Sequence, residues 1–478
     1  MLAIWDELRP AIPDRRIWDR LRRLFFGELM VSGRHTITGM MEAAGSTADN
    51  CSADYRAFSR GLWDHRDLFS CLLEPILALD PIQQPHPVVA SLDDTHGKKT
   101  GIRIPGVSYV RDPMSPKFRP NLIRAQRFVQ VSLAIPFAPG ASACRAFPVA
   151  FDHAPAAKKP KASASEADQK AFRAEREQKR LSRYGLKAIE RLRSDLDGVG
   201  ESERDLLVAV DASYTCQQIL KNLPGRTDLI GRIRKDAVLC HLPQPVSAAR
   251  GRKRWYGEQA PTPEQLRVGE NTPWQSVRVF AAGSAHDCKV KELAPVLWRK
   301  AGPSRTLRMI VIAPLGYRLR KHGRILYRDP AYLITTDLTS SLEDLVQAYF
   351  RRWEIEVNHR DEKQLMGLGQ AQVRAPRSVD RVPAFVVASY SILLLAAARA
   401  FGVDAAEPLS DPPSWYPQAL KQIRIPTMQL LSTLRRSFLA SALTALPNFS
   451  HFPHHLAPTT KCQKGTVSDA ETTQFAVN

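Results

Sequence analysis

Residues 205–214 read DLLVAVDASY, a nearly unbroken apolar run closed by Asp211. Such a run, rich in Leu and Val and too short for a buried helix, marks a central strand of a sheet covered on both faces. A short helix, TCQQILKNL (215–223), and a further strand, DLIGRIRKDA (228–237), follow it. Upstream, PVVASLDD (87–94), GVSYV (106–110) and RFVQVSLAIPF (127–137) are short β-branched runs bounded by Pro, Gly and Asp. Between these and the central run lie the polar low-complexity stretch KKPKASASEADQK and the charged helical segment AFRAEREQKRLSRYGLKAIERLRSDLD. Three strands, helix, strand, helix, strand describes a mixed α/β sheet domain.

The flanks divide the chain further. Residues 1–82 read as a small helical domain whose cations, Arg15, Arg16, Arg20, Arg22, Arg23, Arg34 and His35, could equally dock on DNA or face solvent. The mixed sheet core begins at 83 and is interrupted after 231. Residues 232–335 form a β-rich insertion, with RMIVIAPLGYR and RILYRDPAYLITTD as strands. The core resumes over 336–402. There SSLEDLVQAYFRRWEIEVNHRDEKQLMGLG (340–369) reads as a single helix of about 25 residues, with Ser340 and Glu343 in capping-box relation and Gly367 as terminator. Residues 403–478 read as a basic helix, MQLLSTLRRSFLASALTAL, and an unstructured tail.

Charge indicates the kind of partner. In 478 residues, 68 Lys+Arg stand against 48 Asp+Glu, a net charge of +20. Residues 232–330 hold 20 Lys/Arg against 7 Asp/Glu, so most of the surplus lies in the insertion. Polyanions are therefore the expected partners, nucleic acid before anionic membrane. The start MLAIWDELRPAIPDRR lacks the basic and apolar regions of a signal peptide, which predicts a cytoplasmic protein. Val382–Ala398 is apolar but rich in Ala and interrupted by Pro383, and reads as a buried core helix rather than a membrane span. Seven scattered cysteines form no C-x-x-C and no zinc spacing. P-loop, G-x-S-x-G and G-x-G-x-x-G patterns are absent.

Three acids stand out by position. Asp93, with Asp94 beside it, follows VVASL; Asp211 follows LLVAV; Glu356 lies in the long helix. Carboxylates at the end of buried strands are costly unless paired, hydrogen-bonded or bound to a cation. Asp93-Asp94-Thr95 and Asp211-Ala212-Ser213 share the form D-x-[ST], which favours Asp93 over Asp94 as the functional acid and leaves the choice open. Tyr349, Arg352, Glu356 and Lys363 follow the spacing Y-x2-R-x3-E-x6-K. At about 100° per residue they fall within an arc of about 60° along roughly 21 Å of helix. One face thus presents a phenol, a guanidinium, a carboxylate and an ammonium; the plain alternative is a solvated face with an Arg352–Glu356 pair.

With two strand-borne acids ahead of it and a β-rich insertion before the helix, this spacing resembles the Y-R-E-K signature of bacterial cut-and-paste DDE transposases of the insertion-sequence-four superfamily. SGRHTITGMMEAAG (32–45), DYRAFSRGLWD (54–64) and the DDT triplet resemble the related insertion-sequence group that carries DDT. The resemblance spans roughly residues 25–400 and implies a ribonuclease-H-like fold. It further implies that Asp93, Asp211 and Glu356 bind two divalent ions, Mg²⁺ or Mn²⁺, which activate water and then a DNA 3′-hydroxyl. Arg352, Lys363 and Tyr349 would contact phosphates. In the family the insertion helps to hold a flipped base, often on a tryptophan, and Trp298, followed by Arg299 and Lys300, is the stacking candidate here. The implied partners are double-stranded DNA, as terminal inverted repeats and target, and a second copy of the chain assembled on it. A non-catalytic DNA-binding derivative and a nuclease of the same fold are the competing expectations.

Overall fold

The computed structural model describes residues 1–46, 51–81, 86–112, 115–116, 118–138, 143–244, 254–281, 284–318, 323–405 and 424–444. SDPPSWYP and the expected unstructured tail lie outside them. Five helices open the chain: α1 (Leu2–Glu7), α2 (Arg15–Met30), α3 (Ile37–Ala43), α4 (Cys51–Ser59) and α5 (His65–Leu77). Asp14, Thr36 and Asp64 cap α2, α3 and α5 by accepting backbone N–H groups of the first turn. Four strands follow, β1 (Val88–Lys98), β2 (Ser108–Arg111), β3 (Leu122–Pro136) and β4 (Cys144–His153), where the sequence predicted three. β4 is masked in sequence by Pro148, which lacks a ladder N–H; it sits where the β3–β4 register shifts, opposite Ser132.

Next come α6 (Glu166–Gln178), α7 (Leu181–Gly198), β5 (Leu206–Val210), α8 (Gln217–Leu220) and β6 (Thr227–Arg232). The charged segment expected to be helical is thus two helices. α6 buries no side chain, whereas α7 inserts Leu186, Ile189, Leu192 and Leu196 into the core. The insertion supplies α9 (Pro263–Val268), β7 (Gln275–Ala281), β8 (Ser284–Leu297), β9 (Thr306–Ile312), β10 (Gly316–Arg318), β11 (Ile325–Tyr327) and β12 (Ala331–Thr335). The chain then runs through α10 (Leu342–Arg351), α11 (Trp353–Gln364), α12 (Pro376–Phe401) and α13 (Thr427–Thr444).

A central mixed sheet of ten strands organises these elements, in the order β2-β3-β1-β5-β6-β12-β9-β8-β7 with β4 on β3. β1 pairs antiparallel with β3 and parallel with β5, and β5 pairs parallel with β6. The insertion does not stand apart: β12 pairs antiparallel with β6, and β9, β8 and β7 continue the same sheet.

α12 is the central core helix, as its Ala- and Leu-rich sequence predicted. Among the described residues it is the one helix long and apolar enough to span a bilayer, yet 78% of its apolar window is buried inside the protein. The N-terminal helices share its core. Phe385 meets Trp5 at 6.3 Å and Phe58 at 5.3 Å between ring centroids. Arg381 donates to the carbonyls of Phe58 and Gly61 at 3.1 and 2.9 Å, and to that of Trp63. Several N-terminal cations are committed internally: Arg20 and Arg23 pair with the buried Asp54 at 3.2 and 2.9 Å, and His35 with Glu28 at 2.8 Å.

Residues 340–369 correct the expected single helix. It is broken at Arg352, where the backbone bonds tighten to i→i−3: Arg352 N–H to Tyr349 and Ile355 N–H to Arg352, both 3.2 Å. The N-cap is Ser341, accepting from the Asp344 N–H at 3.1 Å, one residue beyond the predicted Ser340. α11 ends at Gln364, before Gly367, whose φ of +61° still marks the reversal that follows.

Candidate active site

The parallel ladder between β1 and β5 ends at Leu92 opposite Val210. Asp93 and Asp211, the next residue on each strand, are therefore held side by side at about one strand spacing, roughly 4.8 Å. Asp93 does not end its strand, as the sequence suggested. β1 runs on to Lys98 because Asp94–Lys98 keep their pairing with β3 after β5 has stopped.

Successive side chains leave a strand on opposite faces, which separates the two neighbouring acids. Asp93 Oδ2 accepts from Arg352 at 3.1 Å, on the face covered by α10 and α11. Asp94 Oδ1 accepts from the buried Tyr214 hydroxyl at 3.4 Å. Asp93 and Asp211 also share a local bond, each Oδ1 accepting from the next residue's N–H, at 2.8 and 2.6 Å.

Arg352 is the hub of the site. Its guanidinium lies 3.1 Å from Asp93 and 3.5 Å from Glu356, with the Tyr349 ring centroid 6.0 Å away. Burial works against its charge, but Tyr349, Asp93, Glu356 and Asp211 outweigh that and raise its pKa. Burial pushes the Asp93 carboxyl up to about 6, with Arg352 opposing and Asp94 and Asp211 adding to the rise. It also raises Asp94, against the pull of His96 and Arg127. Lys363 is lowered by burial, with Glu362, Asp93 and Asp94 opposing. Of the four residues predicted to share one helix face, Arg352 bonds both Asp93 and Glu356 and lies against the Tyr349 ring across the break.

Behind these groups lies a polar layer that sequence reasoning missed. Gln130, opposite Asp93 in the β1–β3 register, donates to Glu362 Oε1 at 2.8 Å and to Ser132 Oγ at 3.2 Å. Asn358 donates to Ser132 at 3.1 Å. Glu362 is fully buried and pushed up to about 8 by burial. Its nearest signal in sequence was its position next to Lys363, and nothing there distinguishes it from a solvated helix acid.

Trp298 departs from expectation. It follows the end of β8, is 7% exposed and belongs to the main core, so its ring offers no open face to a base. Lys300 lies 4.8 Å from its centroid, and Arg299 5.4 Å from that of Tyr256. Exposed indoles occur instead at Trp255, Trp353 and, to a lesser degree, Trp274, whose ring lies 4.7 Å from the Lys291 ammonium. Trp353 adjoins Arg352 and was readable within the Y-R-E-K stretch.

Among the described residues, no three His, Cys, Asp or Glu side chains form a compact metal-holding group. Asp93 and Glu356 are joined through the Arg352 guanidinium, with Asp211 beside them. The donors of Asp93, Asp211 and Glu356 are all carboxylate oxygens, a set that suits Mg²⁺ or Mn²⁺ rather than a soft metal. No protein-family model matches the chain, and no curated protein matches it.

Proposed function

We propose that this protein is a metal-dependent DDE transposase with a ribonuclease-H-like core, cutting DNA at the ends of a mobile element and joining the 3′-hydroxyls to target DNA. The observation that carries this reading is that Arg352 bridges Asp93 to Glu356, while Asp93 and Asp211 each follow the last paired residue of two adjacent parallel strands. Strand order supports it: β4-β3-β1 antiparallel, then β5 and β6 parallel to β1, is compatible with a ribonuclease-H-like core.

Asp93, Asp211 and Glu356 would hold divalent ions, two in this reading, whose chemistry would be Lewis-acid assistance to phosphoryl displacement. The chain's own groups do the rest. Arg352 and Lys363 neutralise phosphate oxygens beside the acids, and Tyr349 donates its hydroxyl. For Arg352 this means exchanging part of its bonding to Asp93 and Glu356 for a phosphate. Double-stranded DNA is the partner, with a second copy of the chain to pair two ends, in the bacterial cytoplasm at the nucleoid. The N-terminal helices contribute DNA contacts through cations not committed internally, such as Arg15 and Arg34.

The test is incubation of the full chain with DNA bearing the cognate element ends and Mg²⁺ or Mn²⁺. Cleavage that disappears in folded Asp211→Ala and Glu356→Ala variants is the expected result. Retention of cleavage by both would falsify the triad. A pre-cleaved 3′-hydroxyl end separates strand transfer from simple hydrolysis, and DNA binding without nicking points to a non-catalytic binder.

A further inference from the structure

A cavity of about 430 Å³ is lined by residues of β4, α11, α12 and the start of α13, among them Arg145, Arg360, Arg424, Asn358, Tyr390 and Thr427. At about 100° per residue, its α11 residues Asn358 and Asp361 are turned well away from Glu356, with Arg360 on the flank between them. The cavity is a site distinct from the acids.

Its charges do not balance. Three guanidiniums line it against one carboxylate, Asp361. Asp361 is already engaged: Oδ1 accepts from Arg360 at 3.0 Å and Oδ2 from the Thr427 hydroxyl at 2.7 Å. Glu354, just outside the lining, pairs with Arg424. Arg145 is left over. It is 5% exposed, and its Nη2 donates to the Ile425 carbonyl at 2.7 Å, with no carboxylate paired to it among the described residues. Burial and the neighbouring Arg424 lower its pKa to about 10, with Tyr390, Glu354 and Asp361 opposing in part. Buried guanidiniums are ordinarily paired, because an uncompensated charge in the interior costs several kcal/mol.

We propose that this cavity binds a phosphate-bearing ligand, its phosphate seated on Arg145 between Arg360 and Arg424. Tyr390, Thr427 and Asn358 line the same space, their donors turned to Asp361, Asn358 and Ser132, so a phosphate would compete with those bonds for the Thr427 and Tyr390 hydroxyls. The volume falls in the usual range for small-molecule sites, about 300–1,000 Å³. Inorganic phosphate, a nucleotide and a phosphorylated DNA end share the required chemistry. The inference does not rest on the transposase reading: Arg145, Arg360, Arg424 and Thr427 take no part in the Asp93, Asp211 and Glu356 grouping, and Asn358 alone also belongs to the polar layer behind it.

Calorimetric titration and thermal melting of the full chain decide it, at salt high enough to suppress diffuse polyanion binding. The probes are pyrophosphate, adenosine monophosphate, adenosine, and one oligonucleotide with either a 5′-phosphate or a 5′-hydroxyl. Saturable binding of a phosphorylated probe with a raised melting temperature is expected, without binding of adenosine. Preference for pyrophosphate or the mononucleotide identifies a free ligand; dependence on the oligonucleotide's 5′-phosphate identifies a DNA end. Arg145→Met should weaken binding at least about tenfold, the loss of one charge-assisted bond. If that variant does not fold, Arg360→Gln and Thr427→Val carry the test, each expected to weaken binding several-fold. The proposal is overturned if no phosphorylated probe saturates, or if the folded variants bind as tightly as the parent.

Discussion

Glu362 faces the polar underside of the site with a carboxyl that burial holds largely neutral at physiological pH. The sign of its effect follows from linkage. The folded chain keeps a proton that the unfolded chain releases near the ordinary 4.5, so stability falls as pH rises from there to about 8 and is level above. The slope for one such group is about 1.4 kcal/mol per pH unit. Glu362→Gln keeps the shape and the bond from Gln130 but carries no proton to lose. Urea unfolding should therefore show the variant matching the parent near pH 4.5 and exceeding it increasingly toward about pH 8. Parallel curves across that range would mean that Glu362 carries no such burden. Arg352 acts in the opposite sense. Removing it in Arg352→Ala leaves Asp93, with a side chain 18% exposed, without its cation. A loss of about 1–3 kcal/mol in unfolding free energy is expected near neutral pH. Asp93→Asn in the same background should recover part of it, because the orphaned charge is then gone. At this scale the sequence was informative where chemistry and spacing coincide: Asp211 closing an apolar run, and Arg352 four residues before Glu356. Glu362 and Gln130 were invisible, since their burial depends on α11 lying across β1 and β3.

The elements were legible where period and caps agreed, and misread where one residue redirected the backbone. β5, β6 and α12 follow directly from apolar run lengths. β4 did not, because Pro148 argues against a paired strand unless the neighbour shifts register, as β3 does. The Y-R-E-K helix kept its apolar and charged pattern across Arg352, and the local tightening there leaves no mark in that pattern. The α2–α3 contact was equally hidden. Gly27 lies against the backbone of Met40, and a Cβ at position 27 would collide with the Met40 carbonyl. A main-chain obstacle cannot rotate aside as a side chain does. Gly27→Ala should accordingly destabilise by about 1–3 kcal/mol despite the better helix propensity of alanine. A melting temperature equal to the parent's would show that the two helices can move apart without cost.

Across the whole molecule, the +20 charge and the site act on different quantities. On the proposed reading, phosphate contacts would set affinity and its salt dependence, whereas the acids would set turnover. DNA affinity should fall linearly on a log–log plot against salt. Each insertion cation that contacts a phosphate, when replaced by alanine, should reduce the slope by about 0.9. Arg299→Ala and Lys300→Ala, read by fluorescence anisotropy at several salt concentrations, are the direct measurements. An unchanged slope in both would move the DNA path elsewhere on the surface. The sequence located this charge in 232–330 but not its attachment, because strand pairing between β6 and β12 joins residues about a hundred positions apart and leaves no short-range trace.

That attachment has a consequence for evolution and engineering. Through the β6–β12 ladder the insertion shares hydrogen bonds with the same sheet that carries the acids, one strand away from β5, so it is a wing of the sheet rather than a module on a tether. Homologous shuffling at positions 232 and 335 would sever a ladder instead of a linker. A transplanted insertion would succeed only if it arrived with a strand of matching register to dock on β6.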